Sequence, residues 1–181
     1  MCLLILGGSL GARFINDLTL QILPTLLKEY PNLRVIWQTG IDDYERVKKS
    51  FDVDLFEERV KVLPFIDDMS WAYSEADFVL CRAGASTISE LCALGKPALL
   101  IPFPYATHNH QEKNAKTLVD AGGAFMLRQS EAKRDLVLNL LREALSNEEL
   151  RVKMGSAMKS FFNSKGLEVA ISEMESLVRG A

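Results

Sequence analysis

The sequence predicts an α/β domain: a six-stranded parallel sheet covered by helices on both faces, with extra helices after the last strand. Three observations carry this expectation. Apolar runs of strand length alternate with helix-patterned segments as far as Leu127. Those runs are continuously apolar, as strands buried on both faces must be. From Glu131 onward the pattern is helical throughout. Alternation of strand and helix requires crossover connections, which make neighbouring strands parallel and put helices on either side.

Strands are expected at Cys2–Leu6, Leu33–Trp37, Val60–Leu63, Phe78–Cys81, Ala98–Ile101 and Ala124–Leu127. Between them, helices are expected at Arg13–Lys28, Asp43–Ser50, Asp67–Ser74, Thr87–Leu94 and Gln111–Ala121. Beyond Glu131 three more helices are expected, separated near Asn147 and Asn163–Gly166. Pro24 interrupts the first helical pattern; a proline in a helix interior removes a hydrogen bond and costs about 3 kcal/mol, so a kink or break is expected there. Gly95-Lys96-Pro97 stops the short helix before it, with glycine just past the end and proline beyond. The helix starts then face the carboxyl edge of the sheet, where open α/β folds place ligands.

At 181 residues the chain is long enough for one full core, because a domain of this size buries roughly 70% of its unfolded surface. Residues 1–181 are therefore expected to form one domain, with no repeat, low-complexity tract or linker. A net charge of −3 gives no bulk attraction to nucleic acid. The three cysteines, Cys2, Cys81 and Cys92, lie in apolar surroundings and are expected to be buried reduced thiols, as in a cytosolic protein. No run is long enough to span a bilayer, and Leu3–Leu6 is too short for a signal-peptide core. The chain opens abruptly on a strand, which suggests a piece of something longer.

Four constellations could carry chemistry. In Cys81-Arg82-Ala83-Gly84-Ala85-Ser86-Thr87-Ile88-Ser89-Glu90-Leu91, a strand runs through a small-residue turn into a helix expected to open at Ser86 or Thr87. A helix start leaves unpartnered N–H groups and partial positive charge, a ready phosphate site. Glu90, one turn in, suits two adjacent ribose hydroxyls. The same Thr87 and Glu90 also have capping-box spacing, T-x-x-E, which needs no ligand. Gly7-Gly8-Ser9-Leu10-Gly11-Ala12-Arg13 follows the first strand and either cradles an anion or is a tight turn. It is not the dinucleotide fingerprint.

His108-Asn109-His110-Gln111-Glu112-Lys113-Asn114 opens the fifth helix; Gln111 and Asn114, three apart, can face one edge, and amides suit sugar hydroxyls. H-x-H without further ligands is a poor metal site, and Asn109 is placed to cap the helix. In Phe65-Ile66-Asp67-Asp68-Met69, Asp67 is a good N-cap, while the Phe65–Ile66 main chain could pair with the imide edge of a pyrimidine. Asp52-Val53-Asp54 matches the D-x-D of metal-dependent sugar transferases, but so short a pattern arises by chance, and it sits away from the phosphate edge.

Together these four motifs, in order and across essentially the whole chain, resemble the carboxyl-terminal half of the MurG family (glycosyltransferase family 28). The resemblance implies one Rossmann-like lobe of a two-lobed GT-B enzyme that adds N-acetylglucosamine to the undecaprenyl-linked muramyl-pentapeptide, making lipid II for peptidoglycan. This lobe would bind the donor, UDP-N-acetylglucosamine. By position, the main chain of Phe65 and Ile66 would read uracil with Met69 nearby, and Glu90 would take the ribose diol. Ser9, Ala85, Ser86 and Thr87 would surround the diphosphate with Arg82 as charge partner, and Gln111 and Asn114 would address the sugar. Leu10 departs from the family, where many members carry Gln.

The resemblance assigns no catalytic residue, metal or cofactor to this chain. The base, the acceptor site and the membrane-docking patch belong to the amino-terminal lobe, which would be the partner of this one. It places the whole enzyme peripherally on the cytoplasmic side of the bacterial inner membrane, in the biology of cell wall, cell shape and cell division, with this lobe alone soluble. Three alternatives stay open: a donor-binding subunit of a split lipid-linked transferase, half of a UDP-sugar epimerase, and a nucleotide-binding regulatory module.

Overall fold

In the computed structural model, described for residues 1–7, 12–51, 56 and 58–162, six parallel strands form one sheet in the order β3-β2-β1-β4-β5-β6. They are β1 (Cys2–Leu6), β2 (Arg34–Gln38), β3 (Val60–Leu63), β4 (Phe78–Cys81), β5 (Ala98–Leu100) and β6 (Ala124–Met126). Side chains alternate across a strand, so each strand feeds two cores. Leu3, Ile5, Trp37, Leu80 and Leu99 point into one. Cys2, Leu4, Leu6, Ile36, Val79, Cys81 and Leu100 point into the other. Burial on both faces explains why the strands read as unbroken apolar runs.

Helices α1 (Arg13–Glu29) and α6 (Arg134–Ser146) supply the first core with Ile15, Ile22, Val137 and Leu141. Helices α3 (Met69–Glu75), α4 (Ala85–Leu94), α5 (His110–Asp120) and α7 (Glu148–Ser160) supply the second with Tyr73, Leu91, Leu118 and Met158. Helix α2 (Tyr44–Ser50) places Val47 in the first. The result is the three-layered, Rossmann-like architecture the sequence predicts. Of the three helices expected after Glu131, α6 and α7 are present, parted at Asn147, whose side chain accepts from the Leu150 amide. The third lies outside the described residues.

Two expectations fail locally. The first helix runs from Arg13 to Glu29 without a break at Pro24, whose ring is exposed to solvent. The third helix is capped by Asp68, not Asp67: its carboxylate accepts from the Trp71 amide at 3.0 Å.

Helix α4 is fixed at its far end. Gly95 adopts the left-handed conformation (φ 62°), and the Lys96 amide returns to the Leu91 carbonyl at 2.9 Å. There α7 crosses so closely that a Cβ on Gly155 would lie 2.5 Å from the Gly95 oxygen. Glycine at 155 permits this crossing.

The strand order reverses between β1 and β4, and the chain leaves both strands at the same edge. Open sheets bind ligands at this point. It is where Gly7 and Arg82–Gly84 emerge.

Candidate functional site

A cleft of about 770 Å³ opens at that edge between β1 and β4. Two helix starts border it. Helix α4 opens at Ala85, a residue or two earlier than the sequence predicts, with Gly84 in extended conformation as its N-cap and no side-chain cap. The capping-box reading of Thr87 and Glu90 is thereby overturned: Thr87 lies inside the first turn, and Glu90 is engaged elsewhere. Gly84 can cap because its carbonyl accepts the first helical bond, from Ile88 at 2.9 Å, without a side chain occupying the space ahead. The first-turn amides stay available, and Gly84, Ser86 and Thr87 line the cleft, whereas Ala85 is not among its lining residues. Helix α1 likewise starts at Arg13 behind an uncapped Ala12. Ser9 and the rest of the glycine turn, residues 8–11, lie outside the described residues, as do Asp52 and Asp54.

Arg82 is one of two arginines that line the cleft, the other being Arg13 at the start of α1. Its guanidinium donates to the carbonyls of Ile101 (3.0 Å) and Pro102 (3.2 Å) and to Oε1 of Gln129 (2.6 Å). Its planar group also sits over the rings of Phe14 and Phe103. Burial pushes its pKa down to about 10, so it remains charged at neutral pH. Among the described residues it has no carboxylate partner. A half-buried cation held only by neutral acceptors is a demand for an anion.

Glu90 projects from α4 into the same cleft, and its Oε2 accepts from the hydroxyl of Tyr73 at 2.8 Å. On the other side, Phe65 (44% exposed), Ile66 and Met69 form the wall beyond β3. The Ile66 amide is already engaged: it donates to Oε1 of buried Gln38 at 3.0 Å. A base reading this main chain would therefore find the amide occupied. Gln111 lines the cleft with its Oε1 accepting from the Phe103 amide at 2.9 Å, and among the described residues its amino group has no partner.

Asn114 does not line that cleft. Its amide donates to the Ala83 carbonyl at 3.4 Å, and it borders a separate depression with Ile88, Ser89 and Cys92. One helical turn separates Gln111 and Asn114, but α5 is rotated so that only the former meets the cleft. Asn109 occupies the N-cap position of α5 in left-handed conformation (φ 55°), yet its side chain donates to Glu112 and caps no backbone amide. His110 Nδ1 lies 2.8 Å from the Thr107 carbonyl. Among the described residues, no three His, Cys, Asp or Glu side chains gather as metal ligands. All three cysteines are buried and free, and burial pushes the Cys81 thiol up to about 12.

The sequence reading missed Gln38, Tyr73, Phe103 and Gln129. Gln38 carried a faint signal, a polar residue closing an apolar strand. Tyr73 and Gln129 carried none, because only the fold brings α3 beside α4 and the loop after β6 beside the turn after β4.

The profile of the glycosyltransferase family 28 C-terminal domain matches residues 2–169. The transferase named UDP-N-acetylglucosamine--N-acetylmuramyl-(pentapeptide) pyrophosphoryl-undecaprenol N-acetylglucosamine transferase from Nitratidesulfovibrio vulgaris (strain Miyazaki F) is 40% identical over 98% of the chain and 48% of its own length. The protein of the same name from Thermodesulfovibrio yellowstonii is 42% identical, with the same coverage of each. The chain thus spans about half the length of the curated relatives it matches. Among solved structures, Acinetobacter baumannii MurG superposes with a TM-score of 0.79 at 34% identity, covering 96% of this chain and 49% of that one. A UDP-GlcNAc 2-epimerase from Neisseria meningitidis, bound to UDP-GlcNAc, superposes at 0.66 but with 16% identity over 97% of this chain and 44% of its own, a likeness of fold alone.

Proposed function

The chain belongs to the glycosyltransferase family 28 C-terminal domain family, and from that premise we propose that it binds UDP-N-acetylglucosamine as the donor lobe of an inverting N-acetylglucosaminyltransferase that makes lipid II. The observation that carries this reading is the pairing in one cleft of an uncapped α4 start with Arg82, a cation lacking a counter-acid among the described residues. Their shared preference is for a diphosphate.

In the reaction, a hydroxyl of the lipid-linked acceptor attacks the anomeric carbon, the bond from that carbon to the β-phosphate oxygen breaks, and UDP departs with the electron pair. The acceptor proton passes to a base outside this chain. Negative charge grows on the β-phosphate as the bond breaks. Fixed amides at Ala85, Ser86 and Thr87 meet it without reorganising, and one such donor is worth roughly 3 kcal/mol in other enzymes. Arg82, locked by three acceptors, adds a charge that does not have to move. Ser9 and Met69 complete the diphosphate and uracil ends, and Glu90 takes the ribose. Gln111 addresses the sugar directly, and Asn114 reaches it only by giving up the Ala83 carbonyl.

The reading uses no metal or cofactor. The acceptor and the amino-terminal lobe that binds it are its partners, and the assembled enzyme sits peripherally on the cytoplasmic face of the inner membrane. Among the described residues no helix is long and apolar enough to cross a membrane. The epimerase alternative has no support from the sequence relatives, which are transferases by name.

Calorimetric titration of the chain with UDP-N-acetylglucosamine, UDP-glucose and NAD tests the proposal. Binding in that order of affinity is expected. Equal or tighter binding of NAD would overturn it, and binding of UDP alone as tight as the UDP-sugar would favour a regulatory module.

A further inference from the structure

Tyr73 stands out among the buried polar groups because its phenol, 2% exposed, has reached out of the core to a cleft carboxylate. The ring packs in the second core, in the cluster that holds Leu4, Val79 and Leu91, on a helix that touches β1. A phenol has one hydrogen, and here it is spent on Oε2 of Glu90. Burial, reinforced by the carboxylate, raises the Tyr73 pKa, so this donor persists across the physiological range. Glu90 itself is exposed, and no described residue bonds to its Oε1. An exposed glutamate otherwise samples many rotamers. This one is tethered at one oxygen by a side chain packed in the core.

We propose that Tyr73 is a positioning residue that orients the Glu90 carboxylate toward a vicinal diol, and so sets the preference of this site for ribose over 2′-deoxyribose. The inference rests on the donor reading above. A carboxylate tethered at Oε2 has fewer orientations open to it, and presents Oε1 and the remaining lone pair of Oε2 together toward the cleft. Two neighbouring hydroxyls can each donate to these acceptors. A sugar with a single hydroxyl leaves one acceptor direction unfilled, and the tether restrains the carboxylate from swinging to compensate. Without the tether it can swing, and the difference between the two sugars shrinks.

The test is titration of the full chain with UDP and with 2′-deoxy-UDP, for the unmodified protein, Tyr73→Phe, Glu90→Ala and the double variant. Tyr73→Phe keeps the ring that fills the core, and a thermal melt checks its fold. UDP affinity is expected to fall roughly fivefold to tenfold in Tyr73→Phe, because the freed Glu90 side chain must then be ordered on binding. The affinity for 2′-deoxy-UDP should fall less, so the ratio between the two ligands drops. The double variant should bind no more weakly than Glu90→Ala. An unchanged ratio in Tyr73→Phe, whether or not both affinities fall together, would overturn the proposal. Glu90→Gln keeps the core intact and should lower the same ratio; an undiminished ratio there would also overturn it. If Glu90→Ala binds UDP as the unmodified chain does, the ribose assignment itself is wrong, a result distinct from failure of the Tyr73 role alone.

Discussion

Replacing Gly155 by alanine should destabilise the fold, although alanine is the better helix former. Intrinsic propensity favours alanine in a helix interior by about 1 kcal/mol. Against this stands the contact: the new Cβ would lie 2.5 Å from the Gly95 carbonyl oxygen. Carbon and oxygen settle at about 3.3 Å or more even in close C–H···O contacts, so the crossing must open by roughly 0.8 Å. Overpacking of that kind costs about 1–3 kcal/mol. The upper part of the range applies, because the obstacle is backbone. Gly95 is pinned in a left-handed cap by the Lys96–Leu91 bond and cannot step aside. The net loss is about 2 kcal/mol, which for a domain of this size lowers Tm by about 4–8 °C. Differential scanning calorimetry measures it, with Ser156→Ala, on the exposed neighbour, as a control expected to stay within about 0.5 kcal/mol. A melting point for Gly155→Ala equal to or above that of the unmodified chain would refute the argument.

Further predictions concern the cleft and the core. Arg82→Met should weaken UDP binding by roughly tenfold or more, as for a charged hydrogen bond worth about 1.5–3 kcal/mol. Arg82→Lys should recover only part of it, because an ammonium cannot match the guanidinium fork held by Ile101, Pro102 and Gln129; titration calorimetry compares the three proteins. Stability should fall as pH rises above 9, because Cys81 keeps its proton up to about 12 in the fold, whereas an exposed thiol loses it near 9.0. In that window the unfolded chain binds fewer protons, which fixes the sign. Urea unfolding at pH 8 and pH 10.5 checks it, and Cys81→Ala should show a shallower decline than the unmodified chain.

Much of this architecture could be read from the chain because its strands are buried on both faces. Such burial leaves uninterrupted apolar stretches such as Phe78–Cys81, with helical pattern between them, and parallel pairing follows. Errors arose where one local pattern has two physical uses. Thr87 and Glu90 have the spacing of a reciprocal cap, yet the helix begins before them at Ala85, because a glycine can cap with main chain alone. Adjacent Asp67 and Asp68 are equally good caps by type, and the helix uses Asp68. Pro24 is tolerated because it is exposed, a fact of tertiary packing. The contacts that shape the cleft join residues far apart in sequence: Tyr73 with Glu90, Gln38 with Ile66, Arg82 with Gln129. No periodicity encodes such pairs. The motif likeness located Glu90 and Arg82, but it could not show what holds them.

The bond between Gln38 and the Ile66 amide has a thermodynamic consequence. A pyrimidine arriving at that amide would substitute one acceptor for another, since the donor is already satisfied in the empty protein. Such an exchange leaves the number of hydrogen bonds unchanged, so nucleobase recognition at this wall should release little heat and contribute chiefly to discrimination. A base without a matching acceptor would displace the glutamine and strand the amide, a penalty of about 1–3 kcal/mol for a buried donor left unmet. Affinity would then come from the anionic middle of the ligand, and identity from its end.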